Sequence, residues 1–126
     1  MVDHFLIVDD SAAERHLLTS FLHDLGHEVD ICESTEGASD KIAKGNYKAV
    51  FLDIVLPDQD GYKFLRSLRA NQDTAKQYVI LCSTKKTKLE IDYGVKRAGA
   101  DDYLTKPINR EALVEALQRE ALQRVK

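Results

Sequence analysis

A chain of 126 residues, 44% apolar and 31% charged with a net charge of −3, is long enough for a substantial core and reads as a single domain over residues 1–126. The acidic balance argues against the broad basic surface that nucleic-acid binding needs. No apolar run approaches the roughly 18 residues that span a bilayer, and no signal peptide opens the chain. Cys32 and Cys82 both fall in apolar, strand-like segments, so two buried reduced thiols in a cytoplasmic protein are expected rather than a disulfide.

In chain order, "HFLIVD" (4–9) reads as a first strand. Ser11 with Glu14 forms a capping box that opens a helix with the stripe Leu18, Phe21, Leu22 and Leu25, stopped at Gly26. "EVDIC" (28–32) is a second strand, followed by a helix ending at Gly45. "KAVFLD" (48–53) is a third strand, and "PDQDG" (57–61) is a turn before the next helix. "YVILCS" (78–83) is a fourth strand; Thr87 with Glu90 then repeats the capping signal ahead of the stripe Ile91, Val95 and Ala98, which stops at Gly99. "DYLT" (102–105) precedes a last helix carrying Leu113, Leu117 and Ala121. Each of Gly26, Gly45 and Gly99 is expected to take the left-handed conformation that ends a helix.

Five strands alternating with five helices imply right-handed crossovers and a parallel sheet covered on both faces. The continuous apolar runs of strands one, three and four fit that burial. The expected fold is a flavodoxin-like, doubly wound α/β sandwich of three layers, (βα)5 in order. Such sheets take ligands beyond the carboxyl ends of their strands. Those ends carry Asp9 and Asp10, Asp53, Ser83 and Lys106, whereas strand two ends in Cys32 and Glu33 and offers little.

Each of these residues has an ordinary reading as a cap, a turn former or a solvated lysine. Their convergence outweighs it. Two carboxylates about 5 Å apart repel by roughly 3 kcal/mol at an effective dielectric near 20. Three such pairs approach ~10 kcal/mol, the whole stability of a small domain. Either the pKa values rise or a cation sits there. Oxygen-only ligands with room for water suit Mg²⁺, with Mn²⁺ as a substitute. That ion beside a carboxylate, a lysine and a hydroxyl is a constellation for phosphoryl transfer onto an Asp oxygen.

"LIVDDS", "FLDIVLPDQDG", "VILCST" and "AGADDYLTKP" resemble, in order and spacing, the motifs of the response-regulator receiver domain, the CheY-like superfamily. The resemblance covers essentially the whole chain. It implies that Asp53 is the phosphoacceptor, charged by a sensor histidine kinase or a phosphotransfer domain. Asp10 would bind Mg²⁺ directly together with Asp53 and the backbone carbonyl of Val55, and Asp9 would bind through water. Lys106 would hold the phosphoryl oxygens, with a cis bond to Pro107. Ser83 and Tyr103 would act as the switch, Tyr103 otherwise being a half-buried aromatic. Helix four, strand five and helix five would pass the change to an output protein.

Departures from the family pattern also count. Thr84 stands where Ala or Gly is common, narrowing access to the phosphoryl group. Val55 and Lys85 occupy positions that tune dephosphorylation, and an apolar Val cannot position a water, so a long-lived phosphoryl group is expected. One residue more than in the chemotaxis regulator separates Ser83 from Tyr103 and is placed in "KKTKLE" (85–90). Lys85, Lys86 and Lys88 read as a solvated charge run, with an acidic partner as the alternative.

The segments around strands three to five look nearest to the single-domain regulators of twitching motility and type IV pili, with chemotaxis-like and phototaxis receivers also similar. The chain ends one helix beyond Asn109, so a stand-alone cytoplasmic protein is expected, monomeric or weakly dimeric, acting through protein contact. It is read as a self-phosphorylating and self-dephosphorylating signalling domain and not a turnover enzyme. Haloacid-dehalogenase phosphatases need a second Asp where Val55 stands, and neither G-x-G-x-x-G nor a P-loop occurs. A degenerate receiver serving as a phosphorylation-independent docking module is the remaining alternative.

Overall fold

The computed structural model describes residues 2–124. Five parallel strands, β1 (His4–Val8), β2 (Glu28–Cys32), β3 (Ala49–Asp53), β4 (Val79–Ser83) and β5 (Asp102–Thr105), form one sheet in the order β2-β1-β3-β4-β5. The helices are α1 (Ala12–Asp24), α2 (Ala38–Lys44), α3 (Gly61–Ala70), α4 (Lys88–Asp92), which runs on as a π turn over Tyr93–Arg97, and α5 (Arg110–Arg124). This is the flavodoxin-like doubly wound α/β sandwich.

Side chains alternate across a strand, and here both faces are covered. Leu6, Val8, Val50, Leu52, Val79 and Leu81 pack with Ile42, Phe64, Leu65 and Leu68 from α2 and α3, with Ile91 and Val95 at the edge of that layer. Phe5, Ile7, Phe51, Ile80, Cys82 and Leu104 pack with Leu18, Leu22, Leu113 and Ala116 from α1 and α5. That is why β1, β3 and β4 are apolar at nearly every position. Cys32 and Cys82 are free, buried, and belong to opposite layers.

Ser11 caps α1 by accepting the Glu14 N–H, and Thr87 does the same for α4 through Glu90. Gly26 and Gly99 are left-handed at φ 88° and 97°. Gly45 corrects the expectation: it is extended at φ −81°, ψ 169°. It is needed for space, since a Cβ there would lie 2.5 Å from the Tyr47 ring and 2.6 Å from the Lys41 carbonyl. Beyond α4 the helix widens: the Ala98 N–H bonds to the Tyr93 carbonyl at 2.9 Å, an i→i+5 turn.

Arg69 is a staple that periodicity does not show. Its guanidinium donates to the carbonyls of Gly99, Ala75 and Gln77 and to the Asp101 carboxylate, at 2.7–3.0 Å. It thereby ties α3, the loop before β4 and the loop before β5 together. Arg69→Met is expected to cost about 2–3 kcal/mol, because these acceptors lose their shared charged donor. A lower urea midpoint at unchanged slope would report it.

Candidate functional site

With β1 and β4 flanking β3, and β5 beyond β4, the carboxyl ends of four strands line one edge of the sheet. Asp53 is the last residue of β3, Asp9 and Asp10 follow β1, Ser83 ends β4, and Lys106 follows β5. Asp9 and Asp53 are buried and Asp10 is exposed. One carboxylate oxygen from each lies within 4.8 Å of the other two. Lys106 enters from β5, its Nζ 2.8 Å from Asp9 Oδ2 and 3.4 Å from Asp53 Oδ1. Three carboxylates against one ammonium leave two negative charges in the cleft.

Burial and that imbalance together shift Asp53 and Lys106. Burial, then the neighbouring Asp9 charge, pushes the Asp53 carboxyl above the usual range; Lys106 and the Val55 N–H offset this only in part. Burial would lower the Lys106 ammonium, but its bond to Asp9 and the charges of Asp9 and Asp53 hold it above its usual value.

Asp9 is bonded at every polar atom. Its N–H donates to the Cys32 carbonyl at 3.0 Å, and its own carbonyl accepts from Arg15 Nη1 at 2.8 Å. Oδ1 accepts from the Ser11 N–H at 2.9 Å, and Oδ2 from Lys106. Among the described residues, no hydrogen bond reaches the Asp10 carboxylate.

The loop after β3 is drawn tight over Asp53. The Val55 N–H reaches Asp53 Oδ1 at 3.4 Å, Val55 bridges to Asp60, and the Gly61 N–H bonds the Ile54 carbonyl at 2.7 Å. A Cβ at Gly61 would strike the Asp53 carbonyl and come within 2.7 Å of Ile54 Cα, so "PDQDG" must end in glycine. The Val55 side chain stands 69% exposed beside the acid. On the other flank, Ser83 Oγ accepts the Lys85 N–H at 3.1 Å, and Tyr103 donates its hydroxyl to the Lys85 carbonyl at 2.7 Å. One residue, Lys85, therefore links Ser83 to Tyr103, through its N–H and its carbonyl. The Tyr103 ring is buried, which raises its phenol pKa. The missing Cβ of Gly94, in the π turn, makes room for that ring. The Ser83 carbonyl accepts the Lys106 N–H at 2.8 Å, and the Lys106–Pro107 peptide is cis.

The end of β2 contributes more than its sequence promised. Cys32 holds the Asp9 N–H, and Glu33 meets Arg15 at 3.3 Å. Thr35, in the same loop, bonds Asp58 through both its N–H and its hydroxyl, tying this loop to the one after β3. The available signal was Arg15 one helical turn past its cap, a spacing that equally describes a solvated face.

The sequence profile described as "Response regulator receiver domain" matches residues 5–118. The chain belongs to that family. As a receiver it is 36% identical over 115 residues to the protein PilH of Pseudomonas aeruginosa, covering 89% of this chain and 92% of PilH. It is 33% identical to the transcriptional regulatory protein PhoP of Escherichia coli over 90% of this chain, but spans only 49% of PhoP. Among solved structures, the chemotaxis response regulator CheY4 of Vibrio cholerae superposes with a TM-score of 0.85 at 28% identity, covering 95% of this chain and 99% of CheY4. The receiver domain of the sensor histidine kinase PA1611 from Pseudomonas aeruginosa PAO1, whose structure has a magnesium ion coordinated in the active site cleft, superposes at 0.82 with 28% identity, covering 94% and 97%. Among the described residues, no helix of this receiver is long and apolar enough to cross a membrane.

The ammonium of Lys106 is what moderates Asp53. In Lys106→Met, burial and the Asp9 charge are opposed by the Val55 N–H alone, and the Asp53 pKa is expected to climb further, read by carboxyl ¹³C NMR titration. The folded state then binds more protons than the unfolded one between the ordinary value near 3.9 and the raised value. Stability of the variant should therefore fall as pH rises through that window, which pH-dependent urea unfolding checks.

Proposed function

We propose that this receiver accepts a phosphoryl group on Asp53 from a sensor histidine kinase or a phosphotransfer domain and switches protein contacts in response. The observation that carries the reading is the Asp53 carboxylate turned toward Asp9, Asp10 and Lys106 at the meeting of four strand ends. The all-oxygen donor set and the two uncompensated negative charges fit a hard divalent ion, Mg²⁺ or Mn²⁺. Asp10 and Asp53 would hold it directly with the Val55 carbonyl. Asp9, both of whose oxygens are already engaged, would contribute through water. When bound, the ion neutralises phosphoryl oxygens.

The protein's own residues do the rest. An Asp53 oxygen forms the new P–O bond as the P–N bond to the donor imidazole breaks, and Lys106 pairs with the added charge. The product carries nearly two negative charges and three strong acceptors. Ser83 can donate its hydroxyl proton to it, and a turn of that hydroxyl would alter its bond from the N–H of Lys85, the residue whose carbonyl holds Tyr103. That differential contact is what a population shift needs. The consequence would reach α4, β5 and α5, where Leu89 is 81% and Tyr93 42% exposed beside Lys85, Lys86 and Lys88.

Similarity to PilH supports a place in pilus-driven or chemotaxis-like motility signalling. The same reading takes residues 1–126 as one cytoplasmic receiver, monomeric or weakly dimeric, that is not a turnover enzyme.

Incubation with acetyl phosphate and Mg²⁺ should give a single phosphoryl adduct by intact mass, absent in Asp53→Ala and suppressed by EDTA. An unmodified wild type would leave a docking module instead. The exposed apolar Val55 offers no group to orient an attacking water, so Val55→Asn should shorten the adduct's half-life. A chase after removal of the donor measures it, and an unchanged half-life would discard this role for Val55.

A further inference from the structure

Building on the phosphoacceptor reading, we propose that Arg15 is a positioning residue for the acidic pocket: its guanidinium fixes the Asp9–Asp10 peptide and so sets the angle at which Asp10 meets a divalent ion. Arg15 sits one turn into α1, and its side chain is only 14% exposed although charged. Nη1 donates to the Asp9 carbonyl at 2.8 Å, and Nη2 reaches Glu33 Oε1 at 3.3 Å.

The four bonds to Asp9 divide by what they hold. The Cys32 carbonyl anchors the strand end, and Ser11 and Lys106 fix the carboxylate. Among the described residues, only Arg15 acts on the carbonyl of the peptide joining Asp9 to Asp10. A peptide is planar, so pinning its oxygen also pins the N–H and Cα of Asp10. The Asp10 side chain, which no hydrogen bond restrains among the described residues, takes its direction from that plane and its own rotamer.

Two effects of Arg15 oppose each other. As a cation near the cleft it repels a divalent ion, so removing it would tighten binding. As a clamp it preorganises a ligand, so removing it would weaken binding. Glu33 decides between them: its carboxylate neutralises the guanidinium, and with 77% of that side chain in solvent the residual field is screened. The clamp is left as the larger effect. Partners that orient a metal's ligands typically change affinity by about 10–100-fold when removed. Lysine is a poor substitute, since one ammonium cannot span both acceptors as the planar fork does.

Titrating Mg²⁺ alone into the full chain by calorimetry tests this. Arg15→Met should weaken binding about tenfold or more, with Arg15→Lys between it and the wild type. Glu33→Gln should change affinity by less than about threefold, because an exposed ion pair contributes little. In the metal-free protein the Asp10 amide resonance should move in Arg15→Met, a readout that loss of stability alone would not produce. Unchanged or tighter Mg²⁺ binding by a folded Arg15→Met would overturn the proposal. If that variant does not fold, Arg15→Lys decides, and wild-type affinity there overturns it equally. A wild type that binds no Mg²⁺ would remove the phosphoacceptor reading as well, which separates the two failures.

Discussion

Repulsion among Asp9, Asp10 and Asp53 is the load around which the carboxyl edge of the sheet is arranged. At separations within 4.8 Å each pair is unfavourable by roughly 3 kcal/mol at an effective dielectric near 20. A single ammonium, Lys106, stands against all three. It comes from a residue 97 positions from Asp9, and the order β2-β1-β3-β4-β5 is what carries it there. The remaining deficit of positive charge is the site's chemical property, and it is what the proposed divalent ion would offset.

The pocket is rigid on one side and loosely held on the other. Asp9 is bonded at each polar atom, and the loop over Asp53 is closed by Val55, Asp60 and Gly61. On the opposite flank, α4 has no fully buried residue and continues into the π turn. Lys85 ties it to the site, its N–H held by Ser83 and its carbonyl by Tyr103. Local stability follows buried contact, so a change at Asp53 would find its least resistant path toward α4 rather than through α1 or α3.

Long-range polar ties stabilise the rest of the fold in places that apolar patterning does not mark. Arg69 gathers three loop carbonyls and Asp101. Glu120 is buried on α5, facing Lys48 at 3.8 Å. On the edge strand, the Tyr47 hydroxyl donates to Asp30 at 2.7 Å and holds that carboxyl below the usual range. Each involves side chains long enough to reach an acceptor far away in sequence, and each looks like a surface charge until the chain is folded.

The elements, their order, the caps Ser11 and Thr87 and the acids at the strand ends were legible in the residues themselves, because periodicity, caps and turn chemistry are local and each points to the same fold. So was the surplus of negative charge at that edge, since adjacent carboxylates at a buried strand end repel whatever the rest of the chain does. What only the tertiary structure decided was which partners those groups take. Arg15 closing on Asp9, Glu33 neutralising Arg15, and Gly45 serving close approach rather than a left-handed turn all depend on distances between elements. A spacing along the chain says which side of a helix a residue occupies; only packing sets what stands opposite it.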